Sequence, residues 1–432
     1  MKARWDQVIG EAERRAVGHR RDFHRYAEAG WTEFRTSSIV ARRLVTLGYE
    51  VQSGREVVGD EERMGLPSPD ALEEHWRRAL EQGGDREFLE QAKGGFTGVV
   101  GILKTGPGPV VGLRFDMDAV DISESQDPGH RPFRDGFVSI NDGAAHACGH
   151  DGHTAVGLGI AEVLLALREQ VQGTVKLIFQ PAEEGVRGAK AMVSVGVVDD
   201  LDYLLGHHLY SGWELGQIDP GRGGYLATTK FDAVITGKAA HAGGRPHEGK
   251  NALLAASTAV LNLHAIPRHR DGATRINVGK LVAGTGRNVV CPSAHLTVET
   301  RGSSSELNEH MYGSAMRVLK SAASMYGCTL DVRAMGSAQS ANSDPELAQR
   351  VREHTQGLEG LSLRPPDAGG GSEDFTYMME RVQQRGGQAT CIGVGADVGG
   401  WGHHTAEFDF DERALGIAIR LLSGVTVDLL RG

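Results

Sequence analysis

The stretch His146-Ala147-Cys148-Gly149-His150-Asp151-Gly152-His153 crowds a thiol, imidazoles and a carboxylate around two glycines. Thiolate and imidazole are ligands for borderline divalent ions, so the stretch reads as half of a metal site. On an α-helix, residues two apart diverge by about 200°, and Cys148 and His150 could not share an ion there. In an extended or looped segment they can, because alternate residues face one side. Behind them Leu158, Ala161, Leu164, Leu165 and Val171 recur at roughly helical spacing, with Asp151 or Thr154 available to cap. The ligands are therefore expected in a loop that feeds a helix. Any one of these residues alone would more simply be a buried cysteine or a surface histidine; the cluster gains force from ligands further on.

Such ligands follow at strand ends. The strand Val175 to Gln180 is apolar at Val175, Leu177, Ile178 and Phe179, is stopped by Pro181 and leads into Glu183-Glu184. Neighbours in an extended segment point to opposite sides, which suits divided labour: one carboxylate on a metal, the other aimed at a metal-bound water. Adjacent glutamates are usually a solvated pair, but open α/β sheets place their sites at strand carboxyl ends. The strand Tyr203 to Leu205 runs into Gly206-His207-His208. The strand Ala389 to Val394 is followed by Gly399-Gly400-Trp401-Gly402-His403-His404. In each pair, spacing alone leaves either histidine open as the ligand. Asp116 and Asp118 close a strand over Pro109 to Phe115 and face one way; they could bind metal, orient a ligand histidine, or be turn residues. One cysteine, one histidine, one glutamate and two more histidines, all at loop positions, are the inventory of a two-ion site suited to Zn, Mn, Co or Ni.

The elements that must position these groups alternate helix and strand, which means α/β. Between about Gly224 and Met335 the texture changes. Lys230 to Thr236 reads as a strand, Asn251 to Ala265 as a helix, Arg275 to Val282 and His295 to Arg301 as strands, Glu306 to Tyr326 as a helix and Thr329 to Ala334 as a last strand. That order describes a ferredoxin-like module inserted into the metal domain. The expected division is a catalytic metal-binding domain with a mixed sheet over 1–223 and 336–432, and an inserted lid or dimerisation domain over 224–335. Gly369 to Phe375 would return the chain to the metal domain, and a helix from Asp411 to Leu430 would pack it. Near the start, Thr36 to Gly48 reads as a helix closed by Gly48. Arg55 to Lys93 is a charged, Pro-containing interval with helical pieces, expected as a surface insertion without assigned function.

Bulk properties narrow the partners. A chain of 432 residues is too long for one ordinary core. A net charge of −10 without a long basic run argues against a nucleic-acid footprint. Met1 to Ala29 is studded with charge and has neither an apolar signal core nor a run of membrane-spanning length, so no membrane partner is expected. The four cysteines are few and widely spaced, which suits a reducing compartment and a cytoplasmic location.

With these pieces placed, the chain resembles metallopeptidase family M20, which includes aminoacylase and carboxypeptidase G, in its amidohydrolase branch. The resemblance rests on His146-Ala147-Cys148-Gly149-His150-Asp151, Gln180-Pro181-Ala182-Glu183-Glu184-Gly185, Ala240-His241-Ala242 and Gly371-Ser372-Glu373-Asp374-Phe375, which stand in the family's order. Arg63-Met64-Gly65-Leu66-Pro67, the helix start Lys250-Asn251-Ala252-Leu253-Leu254-Ala255-Ala256 and Glu407-Phe408-Asp409-Phe410-Asp411-Glu412 extend it essentially end to end. They place it beside the branch's hydrolases of p-aminobenzoyl-glutamate, and they cover the 55–93 interval. The resemblance implies two divalent ions per chain, Mn or Zn foremost, on Cys148, His150, Glu184, His208 and His404, with Cys148 bridging. It implies Glu183 as general base and His241 as a group reaching across a dimer to the substrate carbonyl or carboxylate. Asn288 and Arg301 would line the substrate cleft, Arg301 as a carboxylate clamp. Asp118 would hold a ligand in place, and Asp116 would not ligate.

The implied activity is hydrolysis of an amide joining an aromatic acyl group to an amino acid, p-aminobenzoyl-glutamate foremost. Alternatives are other acyl-amino acid conjugates such as indole-acetyl-aspartate, or hydrolytic removal of an amine from an aromatic ring. The implied partners are that small-molecule substrate and either a homologous subunit or a second copy of this chain. A further alternative is a chain that is inactive without a homologous partner, although it would have little chemical reason to keep Glu183. A purely structural metal site fits less well, since such sites are closed by four ligands and need no glutamate base.

Overall fold

The computed structural model describes residues 2–365, 371–398 and 402–431. In chain order its strands are β1 (Glu50–Ser53), β2 (Val99–Lys104), β3 (Val110–Asp116), β4 (Thr174–Gln180), β5 (Tyr203–Tyr210), β6 (Gln217–Arg222), β7 (Ala227–Thr236), β8 (Thr274–Ala283), β9 (Ser293–Gly302), β10 (Thr329–Ala338), β11 (Ser362–Leu363) and β12 (Gln388–Gly395). The chain divides into two compact units. Met1–Gly223, Asn342–Gly369 and Tyr377–Gly432 form the first; Gly224–Ala341 and Gly370–Thr376 form the second.

Among the described residues the first unit holds an eight-stranded mixed sheet in the order β1-β2-β4-β3-β5-β12-β6-β11. Its centre, β4, β3, β5 and β12, is parallel. The near-continuous apolar runs of β3 and β4 follow from cover on both faces. On one face the helix His150–Ala166 is buried almost throughout and packs between the sheet and the helices Lys2–Arg25 and Arg413–Arg431. Gly157 permits its close approach, because a Cβ there would stand 2.7 Å from the Phe115 and Phe179 rings.

Two local expectations change. The helix begins at His150, with Gly149 at φ 88° before it, and neither Asp151 nor Thr154 caps it. Asp151 is turned to buried basic partners, and the Thr154 hydroxyl donates to Asp116 O at 3.0 Å. Strand β5 does not stop at Leu205 but pairs with β12 as far as Tyr210. His207 and His208 therefore lie within a strand, where the period of two sends them to opposite faces.

The 55–93 interval carries the helices Pro69–Glu81 and Arg86–Ala92, capped by the side chains of Ser68 and Asp85. Its link to the rest is specific. Trp31 Nε1 donates to Met64 O at 2.7 Å, the Arg63 guanidinium lies 3.6 Å over the Phe96 ring, and Arg187 Nη1 donates to Gly65 O at 3.3 Å.

In the second unit β10-β7-β9-β8 form an antiparallel sheet. The helices Ala252–His264 and Ser305–Met325 share its core with Phe231, Ile235, Leu296 and Val298. The strand-helix-strand-strand-helix-strand order is that of the ferredoxin-like module expected from the sequence, and the chain as a whole has the mixed α/β architecture. The 370–376 segment groups with this unit: Leu226 N donates to Gly371 O at 3.0 Å and Ser372 Oγ to Leu226 O at 2.8 Å. Gly369 and Gly370, and Gly399, Gly400 and Trp401, lie outside the described residues.

Candidate metal centre

At the carboxyl ends of the parallel strands, Cys148 Sγ stands 3.5 Å from His208 Nε2. Ligand atoms of Cys148, His150 and His208 lie within 4.8 Å of one another, and so do those of Cys148, Glu184 and His404. His207, on the other face of β5, is buried against the Phe115 and His153 rings, 5.5 and 4.9 Å away between centroids. His403 packs its ring against His208 and Phe408. His404 turns outward through a left-handed φ of 62° and brings Nε2 to 3.3 Å from Glu184 Oε1. The main chain ties its segment to the cysteine loop, His404 N donating to Ala147 O at 2.8 Å.

The imidazoles are pre-oriented. His150 Nδ1 donates to Asp118 O at 2.8 Å and His208 Nδ1 to Leu209 O at 2.8 Å, which leaves Nε2 of each ring as the nitrogen that would face a metal. Burial lowers His150, but Asp116 and Cys148 more than offset it and hold its proton until a cation displaces it. Asp118 does more than orient a histidine: its two carboxylate oxygens accept the backbone N–H groups of Glu183 and Glu184, each at 2.9 Å. That segment is a turn, not an extended strand end. Ala182, Gly185 and Val186 have φ of 51°, 82° and 61°, and an added Cβ at Gly188 would collide with Pro181 O. Both glutamates consequently face one neighbour, and the ligand atoms of Glu183, Glu184 and His150 all lie within 4.8 Å. Residues that the sequence reading passed over hold the turn. Glu33 Oε1 accepts from Ala182 N at 2.7 Å, and Arg187 Nε donates to Glu184 O at 2.7 Å.

Asp116 is bonded to Arg114 Nη1 at 2.6 Å and His153 Nδ1 at 2.5 Å, while His153 Nε2 accepts from Leu209 N, and the ligand atoms of Asp116, His150 and His153 also lie within 4.8 Å of one another. His146 and His153 are thus buried neighbours of the centre, and His146 is held down to about 3 by burial.

Burial pushes the Cys148 thiol up, and the Glu184 carboxylate adds to the shift. It pushes His208 well down. Burial would also raise Glu184, but hydrogen bonding to His404 and the charge of His150 more than offset it and hold that carboxyl low. Glu33 is raised to about 8 by burial and then by Asp118.

Behind the cysteine loop, His24 Nδ1 lies 2.8 Å from Asp151 and Nε2 2.8 Å from Glu124. Burial alone would lower this histidine; its two carboxylate partners raise it from 6.5 to about 9. A raised folded value means stabilisation that is complete below pH 6.5 and is lost as pH climbs through 9. At about 1.4 kcal/mol per pH unit the contribution reaches about 3 kcal/mol. Urea unfolding of the parent and of His24→Gln should therefore differ most near pH 6 and converge near pH 10.

In the second unit, His241 is exposed, and its Nδ1 accepts from Gly243 N and Gly244 N at 3.2 and 2.9 Å. The neutral ring then carries its proton on Nε2, ready to donate. Asn288 is exposed, and its main-chain carbonyl accepts from Ala242 N at 2.9 Å. Arg301 is ion-paired with Glu299 two residues before it, a carboxylate that any clamped substrate group must share or displace.

The donor set fits a cation. His150 Nε2 is buried without a hydrogen-bond partner among the described residues, a cost that a metal removes. Nitrogen, sulfur and oxygen donors gathered beside a mixed α/β sheet, with a second carboxylate next to them, are the inventory of a metal-dependent hydrolase. The family model "Peptidase family M20/M25/M40" matches residues 112–427, and the chain belongs to that family. It is 50% identical to one subunit of the p-aminobenzoyl-glutamate hydrolase of Escherichia coli strain K12, over 94% of this chain and 93% of that one. It is 49% identical to the indole-3-acetyl-aspartic acid hydrolase of Enterobacter agglomerans, over the same shares. Among solved structures, an aminobenzoyl-glutamate utilization protein from Klebsiella pneumoniae superposes with a TM-score of 0.85 at 42% identity, covering 98% of each chain.

Proposed function

We propose that Cys148, His150, Glu184, His208 and His404 hold two divalent ions, Mn or Zn foremost, and that Glu183 is the general base of an amide hydrolysis. One observation carries this reading: the triads Cys148–His150–His208 and Cys148–Glu184–His404 meet at the Cys148 sulfur and share no other donor. Ions held there supply Lewis acidity for the scissile carbonyl and ease the deprotonation of water. Glu183, 9% exposed and with its main chain fixed on Asp118, takes the proton of the attacking water. As the C–O bond forms and the C–N bond breaks, Glu183 returns that proton to the departing amine nitrogen. The Nε2 proton of His241, reaching across a dimer to the site of the partner copy, stabilises the oxygen that gains charge there.

The substrate is an N-aroyl amino acid, p-aminobenzoyl-glutamate foremost, split into p-aminobenzoate and glutamate. The aminobenzoyl-glutamate relatives support this, and the indole-acetyl-aspartate relative supports the nearest alternative. Product release from both conjugates, measured on the purified metal-loaded chain without a companion, should be faster for p-aminobenzoyl-glutamate. Faster release from indole-acetyl-aspartate would reverse the choice, and activity on neither until a homologous chain is added would favour the reading of a dependent partner.

The chain pairs with a second copy through its second unit. Strand β8 lies at a sheet edge, and Leu253, Leu254 and Leu261 are exposed on the helix Ala252–His264, Leu261 by 74%. An apolar face beside an open edge suits a contact between copies. Sedimentation should give a dimer for the parent and a monomer for the double substitution Leu254→Glu, Leu261→Glu; a monomeric parent at all concentrations would overturn the pairing. The four cysteines are few and widely spaced, which supports a cytoplasmic setting. Among the described residues no helix is long and apolar enough to cross a membrane.

A further inference from the structure

Arg20, in the first helix, is fully buried, and its guanidinium is divided among three carboxylates. Nε donates to Asp151 Oδ2 at 2.9 Å, Nη2 to Asp409 Oδ1 at 2.7 Å and Nη1 to Glu412 Oε1 at 3.1 Å. Asp151 directly follows His150, and Asp409 belongs to the segment that descends from His404. Both ends are reinforced. His24 also holds Asp151, and Arg131 grips Asp409 through two hydrogen bonds and donates to Phe410 O at 2.6 Å. The Phe410 ring lies 4.4 Å under Arg20, and an added Cβ at Gly152 would stand 2.6 Å from it, so the segments behind His404 and His150 also touch directly.

A buried guanidinium is costly unless fully paired, and its best-attested use is to fix register. We infer that Arg20 is a positioning residue that holds the two halves of the metal centre in register, so that filling one ion position prepares the other. The inference rests on the ligand assignment proposed above. Each triad draws on its own segment, His150 on one and His404 on the other, and Arg20 is the side chain whose planar fork reaches both supports at once. Lysine cannot replace it, because a single ammonium does not present a fork to several carboxylates.

The test titrates metal-free protein with Zn²⁺ or Mn²⁺ by calorimetry and follows backbone hydrogen exchange over 147–152 and 403–411 before metal is added. Arg20→Lys should weaken the second binding step by about 10–100-fold, the usual loss when a group that orients ligands is removed. It should also speed exchange in both segments. Asp409→Asn, which keeps the Arg20–Asp151 contact, should weaken one ion position and loosen 403–411 alone; it carries the test if Arg20→Lys does not fold. Tyr49→Phe removes a hydroxyl that donates to Ala161 O near the far end of the helix that begins at His150. It should lower the thermal midpoint and leave both binding steps unchanged. Parental affinities and exchange in Arg20→Lys or Asp409→Asn, with only a lower midpoint, would overturn the inference. Retention of both ions by Cys148→Ser and His404→Ala would instead overturn the ligand assignment, a separate outcome.

Discussion

Glu183→Gln lowers kcat by about 10²- to 10⁴-fold while both ions stay bound. Glutamine keeps the size of the side chain and the N–H that Asp118 accepts, so the turn that presents it is preserved. What is lost is the ability to accept a proton, equivalent to about 3–5 kcal/mol of barrier. The neighbouring substitution sharpens the result: Glu184→Gln removes a donor from a triad and should lose metal together with activity. Steady-state kinetics paired with metal analysis by mass spectrometry read both quantities on one sample. Near-normal turnover by metal-loaded Glu183→Gln, or metal loss there rather than at Glu184→Gln, would reject the division of roles.

The second large effect belongs to the thiolate. Cys148→Ser should weaken both ions at once, because in the proposed ligand set its sulfur joins the triad of His150 and His208 to that of Glu184 and His404. A serine hydroxyl stays protonated and is a poor ligand for the borderline ions that a thiolate selects. The loss should be at least the 10–100-fold seen when an outer partner of a ligand is removed, and activity should fall with it. Calorimetric titration of the metal-free variant decides the matter. If only one binding step weakens, the cysteine serves a single ion and does not bridge.

Much of this centre was legible because metal sites of α/β sheets gather where strands end, and strand ends are marked by Pro181 and by apolar runs that stop. The choice between His207 and His208 was not legible from spacing. It depends on where β5 ends, and its last residues are held by pairing with β12 more than 180 positions later, as in His208 with Gly393. The turn at Glu183 was misread as extended for a related reason. Two of its left-handed residues, Ala182 and Val186, are types that seldom adopt that conformation, and the carboxylate that accepts from Ala182 N comes from Glu33, 149 positions away. Asp151 and Thr154 looked like caps because local sequence shows their chemistry but not their distant partners. The ferredoxin-like module was readable throughout, since its helices and strands declare themselves by periodicity. The helices of the 55–93 interval were visible in the same way; its tie to Arg187 was not.

The raised affinity of the Cys148 thiol for its proton has a consequence for how the protein waits for metal. A buried thiol that stays protonated is a weak nucleophile, so Cys148 itself is a poor target for peroxides and disulfides while no metal is bound. On the ligand assignment proposed above, loading expels that proton, which makes uptake of the ions more favourable as pH rises. In the proposed centre that one buried sulfur is guarded by its own proton, and becomes a ligand as a cation arrives to take the proton's place.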